Sequence, residues 1–374
     1  MSSAPASATR ATHVVVLLAV VGALLAGAWW LSGQGAGPAS RESAPSESAP
    51  QADPRSTGSN PGPSEAASAD TRRDAPSESA RPRTRRVVVV SVDGLASYAV
   101  TGEQMPVLTR LLDEGAGTLN ARTAVERTVT LPNHTGMVTG RRIDPAGGGH
   151  GVTWNVASAR DVRPGVSSVF EAVSRSGGSS AVFVGKTKFL MWDRSWPGAI
   201  DEFVVQPELP ALTDSVVGDL RSQRRELVFF HIGLTDAAGH RSGWDSAPYD
   251  AAVRQADAAL GEVVETIEGG ARVGRETVLI VTADHGGEQG TRDHADARAL
   301  VNYQVPFVVW GRGVAAADLY SLNPDYADPG DAQPGYGGAQ PVRNAAVANL
   351  ALDLLGLPPV PGSEVDPAQD LDVR

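Results

Sequence analysis

From Arg86 onward the chain alternates between short, mostly apolar runs and longer segments whose apolar residues recur at helical spacing. Val87–Val92 (VVVVSV), Ser180–Val184, Leu227–Ile232, Thr277–Thr282 and Val305–Trp310 are continuous runs of the kind that fill strands covered on both faces. Pro106–Glu114 opens on a first-turn proline and stops at Gly115, so it predicts a helix. Another is predicted over Tyr249–Glu268, where Val253, Leu260, Val263, Val264 and Ile267 share one face. A third, Val342–Leu355, ends at Gly356 with Pro358 beyond. Strands alternating with helices predict an α/β fold, a mostly parallel central sheet with helices on both faces and a small cap or inserted segment. The domain is expected over 86–361, with 362–374 as a C-terminal tail.

Upstream the pattern changes twice. Val14–Leu31 (VVVLLAVVGALLAGAWWL) is apolar and uncharged, and at about 1.5 Å per residue it would reach roughly 27 Å, the depth of a bilayer core. Arg10 precedes it, and Trp29 and Trp30 stand at its far end, where indoles favour the interface. It is expected to be a single transmembrane anchor with 1–13 cytoplasmic and the remainder outside the cytoplasm; a cleaved signal peptide, giving a secreted protein, is the alternative. Ser32–Arg85 is rich in Ser, Ala, Pro, Gly and Glu, and repeats APSES at Ala44–Ser48 and Ala75–Ser79. With so little apolar surface to bury it is expected to be a disordered linker, spanning on the order of 40 Å as a coil.

Composition narrows the chemistry. The formal net charge of −11 argues against a nucleic-acid duplex as partner. There is no cysteine, which excludes disulfides, thiolate metal sites and a cysteine nucleophile.

Polar residues cluster just past the apolar runs. Asp93 follows the first, Asp236 lies shortly after Ile232, and Asp284 and His285 follow the run that ends at Thr282. Ligands of open α/β sheets gather outside the carboxyl ends of the strands. Each residue also has a plainer reading. Asp93-Gly94 makes an ordinary turn. Asp236 and His240, spaced i, i+4, share a helix face and suit one metal, but Asp236 would also serve as a helix cap. Asp284 and His285, with Gly286 and Gly287 behind them, match a site that needs backbone room, or a polar loop. His294 and Asn155 could each be a solvated loop residue. Thr130, in RTVTLPNH, is a weak nucleophile unless a base or a metal activates it.

Taken in order, SVDG, TVTLPNHTGMVTG, HGVTWN, TDAAGHRSGW, TADHGG and a histidine ahead of VPFVVWGRG resemble the motifs of the alkaline phosphatase superfamily, and within it the type I phosphodiesterase/nucleotide pyrophosphatase branch. The resemblance runs from about Val87 to Pro361. It implies an alkaline-phosphatase-like domain with two zinc or similar divalent ions. Asp93, Thr130, Asp284 and His285 would hold one, and Asp236, His240 and His294 the other. Thr130 would attack phosphorus and form a phosphothreonine, which water then hydrolyses. Asn155 and the backbone amide of Leu131 would meet a non-bridging phosphoryl oxygen. In that branch the last histidine lies much further along; here His294 follows His285 by nine residues, as a shortened loop would leave it. His134 and His150 are expected to make structural hydrogen bonds.

The implied substrate is a small phosphate ester, a diester or pyrophosphate. Lys186 and Lys188, in VGKTKF, resemble the lysine pair of phosphonoacetate hydrolases and motivate a second reading, a phosphomonoester or phosphonate. On an extended stretch, i and i+2 point to the same side, so both lysines would face substrate. Two solvated lysines are the plainer alternative. A membrane-tethered binding protein without turnover is a third reading, opposed by the complete ligand set. A sulfatase would need a Cys or Ser where Thr130 stands. Met191–Gln223, rich in Trp and Pro, is expected to shape the substrate pocket.

Overall fold

The computed structural model describes residues 84–270 and 273–374, with the backbone of His13–Val16. The linker and nearly all of the expected membrane span lie outside the described residues. Among the described residues no helix is long and apolar enough to cross a membrane.

The described residues form nine strands, β1 (His13–Val16), β2 (Arg86–Val92), β3 (Ala116–Arg122), β4 (Ser180–Val184), β5 (Glu202–Val205), β6 (Leu227–Ile232), β7 (Thr277–Thr282), β8 (Gln304–Gly311) and β9 (Ala317–Asp318). They form one sheet in the order β1-β5-β4-β6-β2-β7-β8-β3-β9. Among the described residues β8 alone runs antiparallel to its neighbours, β7 and β3. All five predicted strands are present. β3 and β5 were not predicted: β3 (AGTLNAR) has little apolar character and is held by pairing with β8, and β5 is only four residues long.

β2, β4, β6 and β7 are buried along their whole length, which requires cover on both faces. Two groups of packed helices provide it. One contains α1 (Pro106–Glu114), α5 (Leu209–Ser222), α6 (Leu234–Ser242) and α7 (Ala247–Gly269); the other contains α2 (Thr130–Thr139), α3 (Val169–Arg175) and the helix Val347–Leu354. That last helix is shorter than the expected Val342–Leu355, because its first turn is a 3-10 turn over Asn344–Ala346. Residues 362–374 pack on the domain, with Leu371 and Val373 in the core.

Met191–Gln223 departs from expectation. It forms α4 (Leu190–Ser195), β5 and α5, and its aromatic residues Trp192, Trp196 and Phe203 are buried in the core. The Trp content reflects packing, since large aromatic rings bury the most apolar surface per residue, whereas Pro197, Pro207 and Pro210 are exposed.

Candidate functional site

Four adjacent strands deliver the chemistry to one edge. In register, Ser91 of β2 lies between His231 of β6 and Thr282 of β7, so the residues that follow these strands emerge side by side. Asp93 comes directly off β2, Asp284 and His285 off β7, and Asp236 from the first turn of α6 after β6. β4 leads into Lys186, which caps the 3-10 turn Thr187–Phe189. The turn at Gly94 has φ +73, and an added Cβ would lie 3.0 Å from the Cα of Asp236. Gly286 and Gly287 do supply backbone room: a Cβ on either would come within 2.0 Å of Val301 O or the Trp244 ring.

Thr130 is the first residue of α2, whose ten residues are all buried. Its Oγ1 lies 3.5 Å from Asp93 Oδ1. The predicted donors converge around it. His285 Nε2 is 3.5 Å from Asp93 Oδ1 and 3.2 Å from Asp284 Oδ2. Asp236 Oδ1 is 3.3 Å from His240 Nε2 and 3.6 Å from His294 Nε2, and those two nitrogens are 3.1 Å apart. The two donor sets meet at His285, whose Nε2 also stands 3.9 Å from Asp236 Oδ1. His294, uncertain on sequence spacing, stacks on His285 with ring centroids 3.6 Å apart.

Whether these residues suit divalent ions can be tested on the polar atoms that lack partners. Asp236 Oδ1, Asp284 Oδ2 and His285 Nε2 are buried without hydrogen bonds. Buried polar atoms are normally satisfied, and Asp236 with His285 and His294, and Asp93 with Asp284 and His285, are groups that could each hold a cation. Carboxylate oxygens and imidazole nitrogens without thiolates suit zinc or manganese.

Electrostatics keep Asp93 and Asp284 ionised. Burial by itself would raise Asp93, but the Lys186 ammonium, with His231 and His285, holds it well below the usual carboxylate range. Burial and Asp93 would likewise raise Asp284, and His285 and His134 hold it down. Burial and the neighbouring His285 push His294 down to about 4, so it is neutral and able to ligate at neutral pH.

His134 and His150 behave as expected. His134 Nε2 pairs with Ser91 Oγ at 2.8 Å, and its Nδ1 lies 2.9 Å from Thr130 O. His150 Nδ1 accepts from Val152 N, and burial pushes its pKa down to about 3.

Three details differ from expectation. The Leu131 amide does not stand free, because it donates to Asn155 Oδ1 at 2.9 Å. The lysines do not share a direction, because a 3-10 turn replaces the extended stretch: Lys188 Nζ donates to Asn155 Oδ1 at 3.0 Å, whereas Lys186 Nζ donates to both Asp93 Oδ2 and Asp236 Oδ2 at 2.6 Å. Third, the site has supporting residues that the sequence reading passed over. His231 Nε2 bonds Asp93 Oδ2 at 2.8 Å, and Thr128 O meets His294 Nδ1 at 2.6 Å. Trp244 and Tyr249 both donate to Gly94 O. A histidine ending an apolar strand beside Asp93 was the available signal for His231, but pairing across strands is needed to read it.

A cavity of about 600 Å³, lined in part by Arg85, Gly178, Glu226 and Leu355, is elsewhere, beside the residues that enter β2, β4 and β6.

Comparison with known proteins agrees with this geometry. Solved structures of similar fold include murine ectonucleotide pyrophosphatase/phosphodiesterase 5, an inactive variant in complex with AMP, at TM-score 0.54 and 14% identity over 74% of this chain and 96% of that one. A protein in the alkaline phosphatase superfamily from Vibrio parahaemolyticus matches at TM-score 0.53 and 12% identity over 77% of this chain and 70% of that one. The 2,3-bisphosphoglycerate-independent phosphoglycerate mutase of Shewanella frigidimarina is 28% identical over 148 residues, 38% of this chain and 27% of that protein. The matched segment thus spans only about a quarter of the mutases' length. The family profile of type I phosphodiesterase/nucleotide pyrophosphatase matches residues 87–335, and with the fold and the donor sets in place the chain belongs to that family.

Proposed function

We propose that this protein is a two-cation phosphoric-ester hydrolase that acts on diesters or pyrophosphates through a phosphothreonine at Thr130. The supporting observation is the convergence of Thr130 with two acidic and histidine donor sets, three of whose buried atoms make no hydrogen bond. Two zinc or similar ions, one held by Asp93, Thr130, Asp284 and His285 and the other by Asp236, His240 and His294, would supply Lewis acidity to the attacking and leaving oxygens.

The chain's own residues account for the rest. Asp93 Oδ1 orients the Thr130 hydroxyl. Thr130 Oγ1 bonds to phosphorus and its proton passes to solvent, while the scissile P–O bond breaks with its electron pair on the leaving group. Water then attacks phosphorus, the P–Oγ1 bond breaks with its electron pair on Oγ1, and a proton from that water restores the Thr130 hydroxyl as the phosphate product leaves. Asn155 Oδ1 is occupied by Leu131 N and Lys188 Nζ, which turns its Nδ2 toward a non-bridging oxygen. A nucleotide-bearing diester agrees with the AMP bound by the murine relative.

Lys188 favours a second reading. Burial and neighbouring Lys186 lower its pKa, yet it reaches Asn155, where the extra charge of a monoester would lie. The likeness to phosphoglycerate mutases points the same way. The test is kcat/KM on bis-p-nitrophenyl phosphate and p-nitrophenyl phosphate, with and without zinc. We expect zinc-dependent turnover that prefers the diester. Lys188→Ala should lower monoester turnover by roughly 30- to 1000-fold and diester turnover by less. A wild-type preference for the monoester that Lys188→Ala removes would replace the first reading with the second. The domain is further proposed to sit outside the cytoplasm, tethered by Val14–Leu31, on the strength of that apolar run.

A further inference from the structure

The contacts of Lys186 assign it a different place from Lys188. Its Nζ donates to one carboxylate from each donor set, Asp93 Oδ2 and Asp236 Oδ2, both at 2.6 Å. These are the outer oxygens. The inner oxygen of Asp93 faces Thr130 Oγ1 and His285 Nε2, and that of Asp236 faces His240 and His294 with no hydrogen bond of its own. His231 Nε2 adds a second bond to Asp93 Oδ2. The stem of Lys186 runs against Gly233, where an added Cβ would come within 3.3 Å of Cε, so the backbone leaves room for it. Its side chain is 19% exposed.

We propose that Lys186 is a fixed internal cation shared by the two donor sets. It selects the oxygen that each aspartate presents, and it restrains how tightly the pair of divalent ions binds. The inference rests on the two-cation reading above. Its physical basis is a contest of charges. Asp93, Asp236 and Asp284 lie together in a buried site, so without a counter-charge they repel one another. An ammonium bonded to two of them relieves that repulsion when no metal is present. Once divalent ions enter, the same fixed charge lies close to both and opposes them through a medium of low effective dielectric. Removing the charge must therefore act in opposite directions: it destabilises the metal-free protein and strengthens metal binding. A lysine that served only to position the carboxylates would, on removal, weaken both.

The experiment compares the full chain as wild type, Lys186→Met and Lys186→Arg. Metal-free melting temperature is measured by calorimetry, and zinc affinity by competition with a chromophoric chelator. Lys186→Met is expected to melt several degrees lower without metal and to bind zinc roughly tenfold or more tightly. Lys186→Arg, which retains the charge, should stay near wild type in both. If Lys186→Met does not fold without zinc, Lys186→Gln provides the same two readings. Weaker zinc binding in the uncharged variants, or equal affinity to wild type, overturns this inference alone. No zinc uptake by the wild type overturns the two-cation reading and this inference with it.

Discussion

Thr130 is a buried candidate nucleophile in a site that opens to solvent at His240, whose side chain is 48% exposed. Thr130 itself is 1% exposed, begins α2, and touches Asp93 through Oγ1 only. Thr130→Ala removes the attacking oxygen and leaves six other donors. We expect zinc content close to wild type by elemental analysis and a loss of turnover of roughly 10³-fold or more. Diester hydrolysis at the wild-type rate would mean that water attacks directly. The lysines show where reading a sequence residue by residue stops. Both lie in VGKTKF, but the turn at Thr187–Phe189 sends one to the aspartates and the other to Asn155. Spacing alone cannot separate them, because which face a residue takes depends on local backbone geometry.

The elements matter through their ends. β2, β6 and β7 are buried along their whole length and each is followed within a few residues by an acid, so burying the strands brings the acids to one edge. The end of β2 is tied to those of both β6 and β7. Asp236 N donates to Asp93 O, and Gly94 N donates to Asp284 Oδ1. Gly94→Ala would place a Cβ 3.0 Å from Asp236 at φ +73. The expected result is a loss of about 1–3 kcal/mol in stability, from the left-handed backbone and the shift it forces, with zinc occupancy also reduced. Unchanged melting and metal content would show that the turn relaxes freely. α2 makes a complementary point. A helix buried all round carries no amphipathic stripe, so the period-based reading did not flag it; its motif did.

At the scale of the molecule, the N-terminal region presents a choice. The backbone of Val14–Val16 pairs with Phe203–Val205 at the edge of the sheet. Those residues cannot be there and in a bilayer at once. If Val14–Leu31 anchors the protein, protease added to intact cells should cut within Ser32–Arg85 and release a soluble, active domain. Activity that stays protected inside the cells would refute the orientation. The exposed β5 edge would then be left in the released domain, with its unpaired backbone groups open to another strand.

The order of residues in the chain determined the five inner strands, α1 and α7, because continuous apolar runs and helical periodicity are local signals that burial then uses directly. It also determined which acids and histidines could form a site, through the succession of motifs. Other features were decided only by the tertiary structure. β3 exists because β8 supplies its hydrogen bonds, not because AGTLNAR favours extension. His231 and Thr128 join the site by pairing across strands and loops far apart in the chain. Lys186 becomes a counter-ion because β4 ends beside β6, within reach of Asp93 and Asp236. Charge interactions of this kind depend on distances of a few ångströms between remote residues, which a linear pattern does not encode until the sheet order is fixed.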